Sequence, residues 1–293
     1  MIGLATWFRP QLTLSKTGQQ SVWNYTFDIP DTHPHCSLDR QVASVAGGFR
    51  YSLSPVGCAA LGKTVFVAGD SHAGAYMAAL RSLVRQEAVK VVLYTRPGCP
   101  VFGMRRPIAD EEAGCAAFVS HVLAEIQANA RAGDRFFLPG LRLTRYRDSW
   151  DDGNPAQAET SVDRSAAIAD AQQRLGSLAD VGVHVILEAP KPLFKAPPFR
   201  CADWFNASNP ICADGFSVPR NEIAQRRAEA MAALGSVAAT GPAITIYDPL
   251  PHLCDEQICR AFVAGQPLFF DGDHLSARGN AVLYDSLSAA LRN

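Results

Sequence analysis

Apolar and polar positions along the chain predict strands that are each followed by a helix. Residues 64–68 form a short apolar run that stops at Gly69-Asp70, which is typical of a buried parallel strand. The apolar residues at positions 73, 76, 77, 80, 83 and 84 then share one face of a helix. The first strand–helix unit therefore begins near residue 64.

The same unit repeats four more times. Strands are predicted over residues 90–95, 135–138, 183–188 and 243–247, and helices over 115–131, 161–179, 222–234 and 277–291. Alternating strands and helices form a parallel sheet with helices on both faces. We therefore expect an α/β fold built on a parallel sheet of about five strands.

The segments between these units suggest where a site would lie. Residues 1–60 lack long periodic segments and contain several prolines and glycines, so we predict an extended, irregular lead-in before a domain at 61–293. Long interruptions at 96–114, 139–160 and 189–221 follow the second, third and fourth strands. Loops at the carboxyl ends of parallel strands build the site of an open α/β sheet.

Composition mainly excludes function classes. The 293 residues suffice for a large core, and 48% hydrophobic with 19% charged residues is ordinary for a globular protein. A net charge of -1 with only short Lys/Arg clusters argues against nucleic-acid binding, which normally needs a basic stripe. No apolar run reaches the ~18 residues that a membrane span requires.

The eight cysteines bear on the cellular compartment. They lie in neighbouring pairs without the paired C-x-x-C motifs of structural zinc sites, which fits disulfides in an oxidising compartment. The alternative is eight reduced, mostly buried thiols. The first 14 residues lack the charged and apolar regions of a signal peptide. We therefore expect this chain to belong to a longer protein whose other part carries the membrane or export signal.

Two short segments carry candidate chemistry. Ser71 stands where the first strand gives way to the first helix, so its hydroxyl lies near backbone N–H groups that favour an oxyanion. Near the other end, Asp271 and His274 are three residues apart in a loop, which lets the carboxylate orient the imidazole toward a nucleophile. The alternatives are a helix cap at Asp70-Ser71 and a solvated turn at 271–274.

Together these segments resemble a known family. Gly69-Asp70-Ser71-His72 before a helix, with Asp271-Gly272-Asp273-His274-Leu275-Ser276 at the far end, is similar to the SGNH hydrolase superfamily. The variant with His after Ser resembles the extracytoplasmic SGNH domains fused to bacterial membrane acyltransferases that O-acetylate surface polysaccharides. The resemblance implies a flavodoxin-like three-layer sandwich, with Ser71 as nucleophile, His274 as base and Asp271 as its orienting acid.

The resemblance also implies an oxyanion hole. The Ser71 amide would supply one donor and Gly98, after the second strand, is the best match for the second. The family's third donor is an asparagine after the third strand, but residues 136–146 contain none. Gly140, Arg142 or Arg145 could replace it.

Several other residues are candidates for lesser roles. His72, Trp150 and Trp204 are candidate substrate contacts, with packing as the alternative. We expect His33 and His35 to be surface-loop residues, and we expect neither a metal nor a cofactor. Neighbour spacing and the family resemblance imply four disulfides: Cys36–Cys58, Cys99–Cys115, Cys201–Cys212 and Cys254–Cys259.

The function implied by the resemblance is transfer of an acetyl group to a hydroxyl of a bacterial cell-surface polysaccharide, such as lipopolysaccharide O-antigen, through an acyl-serine. The partners would be a carbohydrate acceptor and a membrane acyltransferase domain that delivers the acyl group, and the location would be the periplasm. Two alternatives remain at this point: a carbohydrate acetylesterase, and a non-catalytic glycan-binding module.

Overall fold

The computed structural model describes residues 23–24, 28–31, 35–145, 163–206, 208–210, 212–213 and 215–292. The strands are β1 (Ser37–Val45), β2 (Gly48–Val56), β3 (Thr64–Gly69), β4 (Lys90–Thr95), β5 (Arg135–Leu138), β6 (His184–Glu188), β7 (Ser217–Pro219), β8 (Ile244–Tyr247), β9 (Ile258–Arg260), β10 (Phe262–Val263) and β11 (Gln266–Pro267). The helices are α1 (Ser71–Gly74), α2 (Met77–Glu87), α3 (Ala113–Asn129), α4 (Arg164–Asp180), α5 (Pro198–Cys201), α6 (Arg220–Ala238), α7 (Leu250–Leu253) and α8 (Ala277–Arg292), with a 3-10 turn at Ile108–Asp110.

Seven strands form the central sheet, in the order β1-β2-β4-β3-β5-β6-β8. Five neighbouring strands of this sheet, β4, β3, β5, β6 and β8, run parallel, as the sequence predicts. Their chain order across the sheet is 2-1-3-4-5, which is the flavodoxin-like order. The order reverses at β3, so the loops after β3 and its neighbours frame the crevice where such sheets bind ligands.

The amino-terminal prediction is wrong for residues 37–56. These residues form β1 and β2, an antiparallel hairpin that extends the sheet through pairing of β2 with β4. The hairpin turn at Ala46-Gly47 has positive φ angles of 45° and 78°. Both strands carry many polar residues and β1 is largely exposed, so the segment lacks the apolar pattern by which the other strands were predicted.

Two apolar clusters cover the two faces of the sheet. Alternate residues of β3 divide between them: Val65 and Val67 face the cluster that contains α2 and α8, whereas Phe66 and Ala68 face the one that contains α3, α4 and α6. This division produces the three layers expected from the sequence. None of the described helices is long and apolar enough to cross a membrane.

Four disulfides close loops of the domain. The structure joins the cysteine pairs implied by the family resemblance: Cys36–Cys58, Cys99–Cys115, Cys201–Cys212 and Cys254–Cys259. The first links the two ends of the hairpin. The other three lie in segments that follow β4, β6 and β8, so they restrain the loops at the carboxyl edge of the sheet.

Candidate active site

Ser71 is the first residue of α1, directly after β3. Asp70 caps this short helix, and its side chain accepts a hydrogen bond from the His72 amide at 2.8 Å. A side chain at Gly69 could not be accommodated, because a Cβ there would lie 2.5 Å from the Pro139 carbonyl oxygen. Glycine therefore lets the end of β3 pack against the loop after β5, and Ser71 stands above the sheet at the point where the strand order reverses.

A tight loop between β11 and α8 carries the other two residues. The Asp271 carboxylate accepts hydrogen bonds from the backbone amides of Asp273 at 3.0 Å and His274 at 2.7 Å, which fixes the loop's shape. Ser276 then caps α8, because its hydroxyl accepts the Gly279 amide at 2.9 Å and donates to the Pro267 carbonyl at 2.6 Å.

One buried side chain holds the two ends of the chain in register. The Asn280 amide, on α8, donates to the Ala75 carbonyl at 2.8 Å and accepts from the Ala79 amide at 3.1 Å, both next to the nucleophile segment. The helix that follows His274 is therefore bound to the turn that follows Ser71. This contact explains how residues 203 positions apart meet at one site.

Ser71, His274 and Asp271 form a continuous hydrogen-bonded line. The Ser71 Oγ lies 2.7 Å from His274 Nε2, and His274 Nδ1 lies 2.8 Å from Asp271 Oδ2. Ser71, Asp271 and His274 are each partly exposed, so a substrate can approach the hydroxyl. Such a line can transfer the serine proton to the imidazole while the carboxylate stabilises the resulting imidazolium.

The charges in the line favour an imidazolium. Burial alone would lower the pKa of His274, but the hydrogen bonds and charges of Asp271 and Asp273 raise it to about 9. Burial alone would raise the pKa of the Asp271 carboxyl, but its hydrogen bonds with His274 bring that pKa below the ordinary value. The pair is therefore strongly stabilised in its charged form.

The loop contains a second carboxylate that sequence reasoning underestimated. Asp273 Oδ1 lies 2.9 Å from His274 Nδ1, and its other oxygen pairs with the Arg145 guanidinium. The Asp273 side chain is 7% exposed, so it is not a solvated turn residue. The available signal in the sequence was the adjacency of a second aspartate to the histidine.

His72 lies beneath the His274 ring and is buried. Its ring is stacked on that of His274, with centroids 4.3 Å apart, and the residue is 1% exposed. Burial, followed by the charge of His274, lowers the pKa of His72 well below its ordinary value, so the ring is neutral. Its approach to 3.7 Å from Asp273 is therefore not an ion pair. The prediction that His72 contacts substrate is wrong because the side chain is buried.

A buried polar network links the loops after β5 and β6 to the residues that follow α1. Glu188, at the end of β6, is bonded to the Tyr76 hydroxyl, to Lys191 Nζ at 2.6 Å and to the Gly140 amide at 3.1 Å. Glu188 and Lys191 have side-chain exposures of 0% and 4%. No local sequence pattern indicates this network, because its members lie in three separate segments.

The network corrects two of the candidates for the third oxyanion donor. The Gly140 amide is already bonded to Glu188, and the buried Arg142 guanidinium donates to the carbonyls of Glu188, Phe102 and Leu138 at 2.6–2.8 Å. Both groups brace the loop after β5, so neither prediction holds. Arg145 pairs with Asp273, as described above.

The remaining candidate donor and substrate contacts lie at the carboxyl edge of the sheet. Gly98 is in an exposed loop after β4 with a positive φ of 74°, and its role stays a prediction. Trp204 is 68% exposed and packs edge-on against Phe205 at 5.9 Å, in the loop closed by Cys201–Cys212. Trp150 and His33 lie outside the described residues.

Three side chains at the site carry atoms that could ligate a metal ion. These atoms, from His72, Asp273 and His274, lie within 4.8 Å of one another. Both ring nitrogens of His274 are already used, one by Ser71 and the other by the two aspartates. A metal would have to displace one of these partners. The arrangement therefore fits a general base better than a metal centre.

Several solved structures are similar to this chain at low sequence identity. The periplasmic domain of a lipopolysaccharide acetyltransferase from Salmonella ser. Paratyphi A has a TM-score of 0.53 at 15% identity, over 79% of this chain and 85% of that one. A putative acylhydrolase from Bacteroides fragilis has a TM-score of 0.41 at 13% identity, over 78% and 86% of the two chains. A thermostable esterase from Pseudomonas putida has a TM-score of 0.39 at 12% identity, over 97% and 88%.

At these identities the first of the similarities shows a shared fold, that of the SGNH hydrolases. A search of curated proteins found no match. The family model described as "SGNH domain (fused to AT3 domains)" matches residues 36–288. The match includes the hairpin, Ser71, Asp271 and His274. The chain therefore belongs to the family of SGNH domains that occur fused to AT3 domains.

Proposed function

We propose that this chain is an O-acyltransferase domain that moves an acetyl group to a hydroxyl of a bacterial cell-surface polysaccharide through an acyl-Ser71 intermediate. The observation that carries the proposal is the line from Ser71 through His274 to Asp271, with contacts of 2.7 and 2.8 Å. These distances lie within the range in which a base can remove a hydroxyl proton.

The chemical steps follow from this line. His274 takes the Ser71 proton as the Ser71 oxygen attacks the acyl carbonyl, and the Ser71 and Gly98 amides hold the oxyanion. When the tetrahedral intermediate collapses, His274 returns the proton to the leaving group. An acceptor hydroxyl then gives its proton to His274, attacks the acyl-serine and leaves as the ester while Ser71 is reprotonated.

Family membership supports the choice of transfer over hydrolysis. Fusion to AT3 domains is the setting in which a membrane acyltransferase can deliver the acyl group, and we propose that this domain works in the periplasm and completes the transfer. Water can attack the same acyl-serine with the same residues. Hydrolysis to free acetate, as by a carbohydrate esterase, is therefore the competing function.

The nature of the acceptor is also part of the proposal. The similar Salmonella domain belongs to a lipopolysaccharide acetyltransferase, and we extend that acceptor class, including O-antigen, to this chain. The exposed Trp204 and Phe205 support a carbohydrate acceptor, because aromatic faces pack against the C–H faces of sugar rings. The segment that leads into their loop is bonded to residues 268–276, the loop of Asp271 and His274, here called the catalytic loop. The Phe199 amide donates to the Phe270 carbonyl at 2.9 Å.

The test incubates the purified chain with an activated acetyl ester and a bacterial surface polysaccharide, and measures polysaccharide O-acetyl groups and free acetate. We expect acetylated polysaccharide, with at least a ~1,000-fold loss in Ser71→Ala. Ser177→Ala, an exposed serine on α4, is the matched control and keeps full activity. Free acetate alone would favour the esterase, and polysaccharide binding without turnover would favour a binding module.

A further inference from the structure

The carboxylate next to the base occupies a position that the triad alone does not explain. Asp271 is held by two backbone amides and contacts His274 Nδ1 with its second oxygen. Asp273 approaches the same Nδ1 at 2.9 Å, against 2.8 Å for Asp271. The Nδ1 atom therefore has carboxylate oxygens of two aspartates at nearly equal distances, and the hydrogen bond goes to Asp271.

A simple surface ion pair does not account for Asp273. Its partner Arg145 has a side chain that is 58% exposed, whereas the Asp273 side chain is 7% exposed. Removing a carboxylate from water is costly unless a buried partner compensates. The partner that shares its burial is His274, with a side-chain exposure of 15%. Arg145 reaches the outer oxygen of Asp273 from the loop after β5.

We propose that Asp273 is a second orienting carboxylate of His274, and that Arg145 acts on the base through Asp273. Both are positioning residues, because neither contacts the reacting atoms. Asp271 fixes the direction of the ring, and Asp273 with Arg145 sets how strongly the protonated ring is favoured. This deepens the proposed function, since it concerns the base of the same reaction.

Other titratable groups lie near the ring and must be held constant in a test. They come from each neighbouring element, namely Asp70 at the end of β3, His72 on α1 and Lys191 in the loop after β6. The polar partners of Nδ1 among the described residues are Asp271 and Asp273, not these three groups. Removing the charge of Asp273 should therefore lower the pKa of His274, and removing that of Arg145 should raise it. A merely structural role would not produce these opposite shifts.

The experiment is an NMR titration of the His274 ring, one of seven histidines, identified by the signal lost in His274→Gln. Asp273→Asn keeps the shape of the side chain and removes its charge, so the midpoint should fall by about one pH unit or more. Arg145→Gln, at an exposed position, should raise the midpoint. Asp255→Asn is the matched control, because it breaks the exposed Asp255–Arg260 pair and should leave the midpoint unchanged.

An unchanged midpoint in Asp273→Asn, in a protein with a native-like spectrum, would overturn the proposal. A fall of the midpoint in Arg145→Gln would overturn the role of the arginine. If Asp273→Asn does not fold, the Arg145→Gln titration decides. The titration needs no substrate, so it can support or reject Asp273 even if the chain proves to have no acyltransferase activity.

Discussion

His274 combines two requirements that oppose each other. As the proposed base it must be neutral to accept the Ser71 proton, yet two aspartates raise its pKa to about 9. The neutral form is therefore a minor one at pH 7 and becomes dominant only above the pKa. The same aspartates stabilise the imidazolium that forms in the proposed transition state. The interactions that favour this step therefore also favour a protonated His274 in the resting protein.

This charge balance predicts the pH dependence of the reaction. Because the free base increases as pH rises toward about 9, kcat/KM for an activated acetyl ester should increase over that range and level off above it. The measurement is a pH–rate profile with the background of Ser71→Ala subtracted at each pH. A profile that is flat between about pH 7 and 9 would show that His274 is already neutral and would contradict this account.

The positions of the catalytic residues depend on close contacts between loops. The Phe194 amide donates to the Gly272 carbonyl at 2.8 Å, which binds the loop after β6 to the catalytic loop. A Cβ at Gly272 would lie 2.6 Å from the Phe194 carbonyl oxygen, closer than real contacts allow. The catalytic loop can therefore keep its place only with glycine at this position.

The second prediction follows from that contact. Gly272→Ala should shift the catalytic loop and lower kcat by about 10- to 100-fold, because small displacements of a catalytic group are costly. The control is Gly235→Ala on α6, where a Cβ would meet nothing within 4 Å and activity should be retained. Both variants are compared by steady-state kinetics and by thermal unfolding. Equal activity in the two variants would show that the loop contact does not position the base.

The features of the fold that the sequence predicts are those that depend on residues close together in the chain. The apolar pattern predicts the five parallel strands because each is short and mostly apolar, as in residues 64–68 and 90–95. The hairpin at residues 37–56 escapes prediction because one edge strand is largely exposed and its pattern is mixed. Local motifs and the family resemblance predict Ser71, Asp271 and His274 as catalytic residues, and the structure brings their side chains together.

The surroundings of those residues could not be predicted in the same way. Asp273, Arg145 and Glu188 acquire their roles only when distant segments meet, at separations such as the 128 residues between Arg145 and Asp273. The family resemblance makes Gly140 and Arg142 oxyanion candidates because they follow the third strand, where the family has its third donor. Their bonds point elsewhere in the folded chain. Position along the chain therefore predicts which loop a residue joins, but not which way its polar groups face.

At the scale of the whole molecule, the disulfides differ in the loops that they close. Cys36–Cys58 spans 22 residues and holds the hairpin, whereas Cys254–Cys259 spans 5. A crosslink stabilises the folded state mainly by restricting the unfolded chain, and more so for a longer loop. Replacing both cysteines of the first bridge with serine should lower the free energy of unfolding by about 3 kcal/mol, against about 2 kcal/mol for the second.

Urea unfolding of the two double variants measures this difference. The hairpin bridge should show the larger loss, and its loss should leave the Ser71–His274 contact intact because the hairpin lies at the other side of β4 from β3. Activity per folded molecule should therefore be retained in Cys36→Ser/Cys58→Ser. A reversed order of stability, or loss of activity in a folded hairpin variant, would contradict this division between scaffold and site.

The central claim is that Ser71 forms a covalent acyl intermediate. The most direct measurement is the intact mass of the protein after brief exposure to an activated acetyl ester, followed by peptide mapping, with Ser71→Ala beside it. This account predicts one acetyl adduct on Ser71, absent from the variant, that disappears faster when polysaccharide is added. No adduct and no turnover in the wild-type chain, or the same adduct and turnover in Ser71→Ala, would contradict it.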